Sequence, residues 1–375
     1  MKILVLANNT RAINHFRINL IYNLAKQYDV YLVARYNEQI NKKIYKHVHY
    51  TNLVLEEDGY NIFKEIKLFF NLFFIIKSIN PDLVISYTIK PNFYGSIICK
   101  ILKIKNISNV FGLGFLHLIT NKVIKLTFRK ILKIIASNSH KIFIQNLDDK
   151  RILSQFTDIN KLVLINGSGI NVEYYQKKIN NKDIKYDYTY IGRIIKDKGL
   201  DEFIKTAISI NKTHPNIKFC IQGEIYSNRK DRSININQFN YALDKKIITF
   251  LEYGDVVNTI NSSKWIVLPS YREGSSKILQ ESICMGKPCL ASDVPGCNNI
   301  IIDNFNGLLF EPQSYQSIKK TIIQSINLSP KQYNLYSQNC LKFSLKFDDK
   351  NTISNYQYVI DNINMVKKHS TRIKI

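Results

Sequence analysis

The sequence predicts an α/β protein of two doubly wound parallel-sheet domains facing a central cleft. Three observations carry that expectation. Short apolar runs alternate with helix-length segments through both halves, the pattern of parallel strands covered by helices on both faces. A chain of 375 residues is long enough for two cores. A polar, aperiodic stretch, Tyr175-Gln-Lys-Lys-Ile-Asn-Asn-Lys-Asp183, separates a last strand-loop unit from a new first strand. The expected domains are therefore 1–175 and 184–350, followed by a terminal helical segment, 351–375, whose pattern runs from Asn351 to Val366.

The first element, Lys2–Ala7, is one short apolar run followed at once by Asn8-Asn-Thr-Arg11, so it reads as a strand and not as a signal peptide. Val30–Ala34, Asp82–Ser86, Ile107–Phe111 and Lys141–Gln145 continue the first sheet. Between them lie two unusual helical stretches. Phe63–Ile79 contains Leu68-Phe-Phe-Asn-Leu-Phe-Phe-Ile-Ile76, more apolar than a surface helix usually is. Lys122-Val-Ile-Lys-Leu-Thr-Phe-Arg-Lys-Ile-Leu-Lys-Ile-Ile135 spaces its cations as a basic amphipathic helix that can lie on an anionic bilayer. Helices packed on a sheet with lysine stems snorkelling at the edge are the alternative for both.

Charge points the same way. The net charge is +24, and residues 1–180 hold 26 Lys and Arg against 11 Asp and Glu, a net of +15. No RNA-binding or helix-turn-helix signature accompanies it, so an anionic membrane surface is the expected partner and nucleic acid is not. No stretch reaches 18 uninterrupted apolar residues, which predicts a cytoplasmic protein without a membrane span. The six cysteines show neither Cys-x-x-Cys pairing nor a secreted framework and read as small buried hydrophobes.

The second half runs through Tyr188–Gly192, Lys218–Gln222, Ile247–Glu252, Trp265–Leu268 and Pro288–Ala291 as strands. After the fourth, Pro269-Ser-Tyr-Arg-Glu-Gly-Ser-Ser276 forms a turn and an N-cap for the helix Lys277–Met285, ended by Gly286-Lys-Pro288. Glu273 is left at the mouth of that turn. Glu281 lies about one and a half turns into the helix, where a carboxylate can accept ribose hydroxyls while the helix start attracts phosphate. A solvated pair of glutamates is the plain alternative.

With Asp293-Val-Pro-Gly296 and Asn304-Phe-Asn-Gly-Leu-Leu309 behind it, the Glu273-x7-Glu281 segment resembles the signature of the family 4 retaining glycosyltransferases. That resemblance implies the GT-B fold, a UDP-sugar donor, and a terminal helix that crosses back to the first domain. Gly192-Arg193 followed by Lys198-Gly199 after a strand is similar to the family's phosphate clamp, where an Arg fork and a Lys point charge meet the diphosphate. Gln222-Gly223-Glu224 resembles the loop beside the nucleotide, and Gly274, Ser275 and Ser276 would add contacts to the donor. Glu273, Arg193 and Lys198 are thus the expected catalytic set. No Asp-x-Asp occurs and the histidines show no ligand spacing, so no metal or other cofactor is expected. His117 lies near the expected cleft loops and is taken as structural.

The first domain is similar to the subgroup that extends undecaprenyl-diphosphate-linked saccharides, through Asp82–Ser96, Val110-Phe-Gly-Leu-Gly114, Phe143–Asp149 and Ile165–Asn171. Lys90, Gly112 and Gly114 would then meet an anionic, lipid-linked acceptor, joined by Arg17, because the Phe16-Arg17 step matches the subgroup. The loop Ala7–Arg17 lacks the paired glycines of many relatives, and Ser275-Ser276 stands where they carry other small residues or Pro. The implied activity is transfer of a hexose or N-acetylhexosamine in the building of a bacterial surface glycan, whether capsule, O-antigen or glycoprotein oligosaccharide. A UDP-N-acetylglucosamine 2-epimerase on the same plan and a non-catalytic basic scaffold are the alternatives.

Overall fold

The computed structural model describes residues 1–372 except 54–60, 114–115, 117–118, 181–182 and 225–233, and excludes the side chains of 364–372. The chain divides into two compact units, Met1–Gly169 with Asp349–Ile375, and Ile170–Asp348. The division falls upstream of the polar stretch 175–183, because Ile170 and Val172 are buried with the second core and Tyr175 packs against it.

The first unit is a seven-stranded sheet. Its strands are β1 (Lys2–Asn9), β2 (Asp29–Arg35), β3 (Val48–Asn52), β4 (Leu83–Tyr87), β5 (Lys105–Asn109), β6 (Lys141–Ile144) and β7 (Leu162–Leu164), in the order β3-β2-β1-β4-β5-β6-β7. Every pairing is parallel. Both faces are covered, as the alternation along β1 shows. Ile3, Val5 and Ala7 join the core beneath the helix Ile18–Ala25 and the C-terminal helix Asp349–Arg372, while Leu4 and Leu6 face the helices Ile62–Ile79 and Ile89–Leu102. The C-terminal helix inserts Tyr356, whose ring stacks on Phe143 at 4.1 Å and whose hydroxyl donates to Asn109 Oδ1. Asn109 in turn donates to Ser86 O at 3.0 Å, and its carbonyl accepts from Asn92 at 2.6 Å. A buried polar chain thus ties the C-terminal helix to the ends of β4 and β5.

The second unit repeats the plan with six parallel strands, β8 (Tyr186–Ile191), β9 (Phe219–Gly223), β10 (Ile248–Glu252), β11 (Ser263–Leu268), β12 (Cys289–Ser292) and β13 (Gly307–Phe310), ordered β10-β9-β8-β11-β12-β13. In each sheet the strand order reverses beside the first strand, between β1 and β4 and between β8 and β11. Loops leaving the carboxyl ends at such a reversal are where an α/β sheet binds ligands.

All ten expected strands form within two residues of their expected ends. Three others, β3, β7 and β13, carry no clear sequence signal. Each is a sheet edge and at most five residues long, so a one-sided contact needs little apolar patterning. All six cysteines are buried and unpaired. Among the described residues no helix is long and apolar enough to cross a membrane.

Candidate functional site

The loops after β8 and β11 meet at the reversal in the second sheet. Leaving β8, the chain passes through Gly192 and Arg193, makes a short 3-10 turn at Lys196–Lys198, and enters the helix Leu200–Asn211 through Gly199 in a left-handed conformation, φ +69°. A Cβ on Gly199 would lie 2.0 Å from Pro269 O, so only glycine lets the two loops touch here. That contact brings Lys198 to Glu273. Lys198 Nζ donates to Glu273 Oε1, which also accepts from Ser270 Oγ at 2.8 Å. Both partners of the pair are about five-sixths buried, with side-chain exposures of 16% and 15%. The sequence places these two residues in separate roles, and the fold joins them.

Glu273 is held from behind as well. Gly296, φ +84°, packs so tightly that a Cβ would sit 2.6 Å from Glu273 O, which explains the Pro-Gly step after β12. Gly296 O also accepts the Ser276 N–H at 3.0 Å. That backbone donor, expected to face a phosphate, is therefore engaged within the protein. Ser276 is the N-cap of the helix Lys277–Cys284 through its side chain, and Ser275 Oγ accepts from Gln280 at 2.7 Å. Gly274 completes the turn between Glu273 and these serines.

Inside that helix Glu281 is buried, 7% exposed. Its Oε1 accepts from the Tyr175 hydroxyl and lies 3.2 Å from Lys277 Nζ. Burial, and then the Glu281 charge, push the Tyr175 phenol well above its usual range, so it remains a donor to the carboxylate. Tyr175 falls in the stretch expected to be a linker. The structure instead forms a helix over Val172–Gln176, capped by Asn171, and an Asn cap followed by Glu173 in the first turn was the available signal.

The remaining expected donor residues surround this centre. Arg193 is exposed and without an ion pair among the described residues, and its carbonyl accepts from the buried Tyr190 hydroxyl at 2.6 Å. Gly192 N–H donates to Gln222 O, and a Cβ on Gly223 would lie 1.9 Å from Gly192 O, so the ends of β8 and β9 are in backbone contact. Gln222 Oε1 is buried and without a partner, while Glu224 O accepts from Ile194 N–H at 3.0 Å.

In the first unit the expected acceptor residues are less uniform. Lys90 donates to Glu65 at 2.7 Å, and Tyr94 donates to the other oxygen of Glu65, so this lysine fastens the helix Ile62–Ile79 to its neighbour. Gly112, φ +73°, has its N–H committed to Asp149 Oδ2 at 2.8 Å, with Leu113 N–H on Oδ1 at 2.8 Å. The glycine loop expected to offer backbone donors is thus closed by Asp149, the last residue of the segment Phe143–Asp149, to which the sequence gives no such role. Burial pushes the Asp149 carboxyl up to about 6 against those bonds, which pull it down. Gly114 and His117 lie outside the described residues. Arg17 is buried at the carboxyl ends of β1, β4 and β5, against Tyr87 and Phe111.

Two facing loops that carry an acid–base ion pair, beside a helix start and a buried glutamate, thus gather at the strand-order reversal of one parallel sheet, the place where sheets of this class bind ligands and transferases of this architecture hold their substrates. The family models agree: residues 171–340 match the model described as glycosyl transferases group 1, and residues 2–146 match the one described as glycosyl transferase 4-like. The chain belongs to these glycosyltransferases and is a hexosyltransferase.

Curated relatives are distant. The chain is 25% identical to the N,N'-diacetylbacillosaminyl-diphospho-undecaprenol alpha-1,3-N-acetylgalactosaminyltransferase of Campylobacter jejuni over 97% of its own length and 99% of the relative's. It is 24% identical to the UDP-Gal:alpha-D-GlcNAc-diphosphoundecaprenol alpha-1,3-galactosyltransferase of Escherichia coli over 75% of each. Among solved structures, Anabaena HepE in complex with UDP and glucose superposes with a TM-score of 0.77 at 12% identity, covering 97% of this chain and 99% of that one. Sucrose-phosphate synthase from Thermosynechococcus elongatus gives 0.76 at 15% identity over 98% and 100%. These structures share the two-domain GT-B fold.

Two outcomes are expected. Lys198→Met strands a largely buried carboxylate and should cost about 3 kcal/mol, most of it recovered in the double variant with Glu273→Leu, as read by urea denaturation. Asp149 keeps its proton in the fold up to about pH 6 while the unfolded chain ionises from about pH 4, so its contribution to stability falls as pH rises from about 4 to 6. The stability of Asp149→Asn relative to wild type should accordingly grow by up to roughly 3 kcal/mol between pH 4 and 7.

Proposed function

We propose that the protein transfers a hexose or N-acetylhexosamine from a UDP-sugar to a lipid-diphosphate-linked saccharide, with retention at the anomeric carbon, at the inner face of a bacterial membrane. The observation that carries the proposal is the Lys198–Glu273 pair at the reversal of the second sheet, beside Glu281. In this scheme Glu281 receives the ribose through the oxygen that Tyr175 and Lys277 leave open, Arg193 and Lys198 take the diphosphate, and Glu273 orients the sugar. Lys198 would exchange one anion for another when the donor arrives, so its charge is never buried alone. Gln222 Oε1, buried and unpartnered, offers an acceptor beside the nucleotide. The bond from the anomeric carbon to the β-phosphate oxygen breaks as the acceptor oxygen attacks from the same face, and the acceptor proton passes to the departing phosphate. Cations and the helix start stabilise the charge that develops on that phosphate, so the scheme requires no metal.

The acceptor class rests on the two relatives above, whose names both specify a diphospho-undecaprenol-linked saccharide. A surface fit for a bilayer supports it. The helix Ile62–Ile79 exposes Ile62, Phe63, Ile66, Phe70 and Phe74 along one side, with Phe63 at 79% exposure. The helix Lys122–Asn138 exposes Val123, Ile124 and Leu126 among Lys122, Arg129, Lys130 and Lys133. Both pack on the helix Ile89–Leu102 in one layer of the first unit. Exposed aromatics beside cations partition into an anionic interface.

Glu281→Ala is expected to weaken UDP binding about tenfold or more, while Glu273→Ala should keep UDP affinity and lose turnover. A thermal-shift panel of UDP, GDP and UDP-sugars with each variant reads the outcome, and equal UDP affinity in wild type and Glu281→Ala refutes the ribose assignment. Replacing Phe63, Phe70 and Phe74 by Ser should reduce binding to anionic vesicles by about tenfold or more without changing UDP affinity, as measured by vesicle flotation.

A further inference from the structure

Arg17 is an unusual cation. It ends the helix Thr10–Phe16 and precedes Ile18–Ala25, which turns its side chain inward at the carboxyl end of β1. Only 7% of the residue is exposed, and its Nη1 is buried without a hydrogen-bond partner. No carboxylate pairs with it among the described residues. Its guanidinium carbon lies 4.6 Å from the ring centre of Tyr87 and 5.2 Å from that of Phe111, residues that leave β4 and β5.

A buried guanidinium without an anion is costly. Two aromatic faces offset part of the loss, but a ring face does not take up the directional N–H donors of the fork. The polar groups that follow from the Tyr87 ring are occupied with one another. Tyr87 OH donates to Tyr356 OH at 3.4 Å, Tyr356 OH donates to Asn109 Oδ1, and Asn109 is fastened to Ser86 and Asn92. This chain holds the rings rigidly without supplying negative charge. Three strand ends at the reversal of the first sheet therefore present a preorganised cation whose fork lacks an acceptor.

We infer that Arg17 is the anion site of the first unit and receives a phosphate group of the acceptor's diphosphate. The inference rests on the lipid-diphosphate acceptor proposed above and adds the group that recognises it. A planar fork matches phosphate oxygens in bidentate fashion, which a lysine cannot reproduce. The aromatic pair fixes the plane of the fork, so charge and orientation are set before the ligand arrives. Lys90 and the Gly112 amide, by contrast, are already engaged by Glu65 and Asp149.

The test uses the full chain saturated with UDP, so that the donor loops are filled, and titrates inorganic pyrophosphate by calorimetry. Wild type is expected to bind it, Arg17→Lys to bind about tenfold more weakly, and Arg17→Met to lose binding while keeping UDP affinity. Arg17→Met should also melt at or above the wild-type temperature, since it removes an uncompensated buried charge; if it does not fold, Arg17→Lys carries the comparison. Turnover with a short-prenyl diphosphate-linked N-acetylhexosamine and with its neutral alkyl glycoside then separates the lipid diphosphate from free phosphate. The expected result is a raised KM for the diphosphate acceptor alone. Equal pyrophosphate affinity and equal KM in wild type and the Arg17 variants would overturn the Arg17 assignment and leave the acceptor class standing. Failure of wild type to use any diphosphate-linked acceptor would instead remove the acceptor class.

Discussion

The second unit is organised around one ion pair. Lys198 arrives on the loop after β8 and Glu273 on the loop after β11, the two strands at which the sheet order reverses. Neither charge tolerates its depth without the other, so the loops cannot separate without exposing or stranding a charge. Backbone contacts reinforce this dependence. Gly199 lies against Pro269 O and Gly296 against Glu273 O, at distances that exclude any side chain. In the proposed scheme the diphosphate cation and the sugar-facing carboxylate must keep a fixed register, and this contact holds Lys198 and Glu273 in one.

The first unit meets a related problem differently. Its reversal lies between β1 and β4, and there the buried cation, Arg17, is enclosed by aromatic rings and by a polar chain running from Tyr356 to Ser86. The C-terminal helix is part of that enclosure, since Tyr356 stacks on Phe143 and donates to Asn109. A residue near the end of the chain thus fixes geometry at the end of the first sheet. Asp149 likewise closes the Gly112 turn from a separate helix, Leu147–Leu153, and bears a raised carboxyl pKa because of its burial.

Much of the plan was legible in linear sequence because its signals are local. Apolar runs such as Trp265-Ile-Val-Leu268 are buried on both faces of a parallel sheet, and Ser276 before Lys277 marks a helix start by its own chemistry. Three of the four edge strands, β3, β7 and β13, were not legible, since their one-sided contacts require little apolar pattern, whereas the fourth edge, β10, carried its own apolar run. Tyr175 was read as linker because its partner Glu281 lies 106 positions away. The Lys90 ammonium and the Gly112 amide looked available for the same reason: Glu65 and Asp149, which occupy them, are 25 and 37 positions distant.

Residue order alone therefore established the two parallel-sheet halves, the helix that follows Ser276, and the family to which Glu273, Glu281 and the Arg193–Lys198 loop belong. Each depends on periodicity or spacing within a few residues. Which charges neutralise one another was decided only by the folded chain, because ion pairing and burial depend on distances between segments that sequence spacing does not specify. Lys198 meets Glu273 across 75 positions, whereas among the described residues Arg17 meets aromatic rings and no carboxylate, a difference that residue spacing could not show.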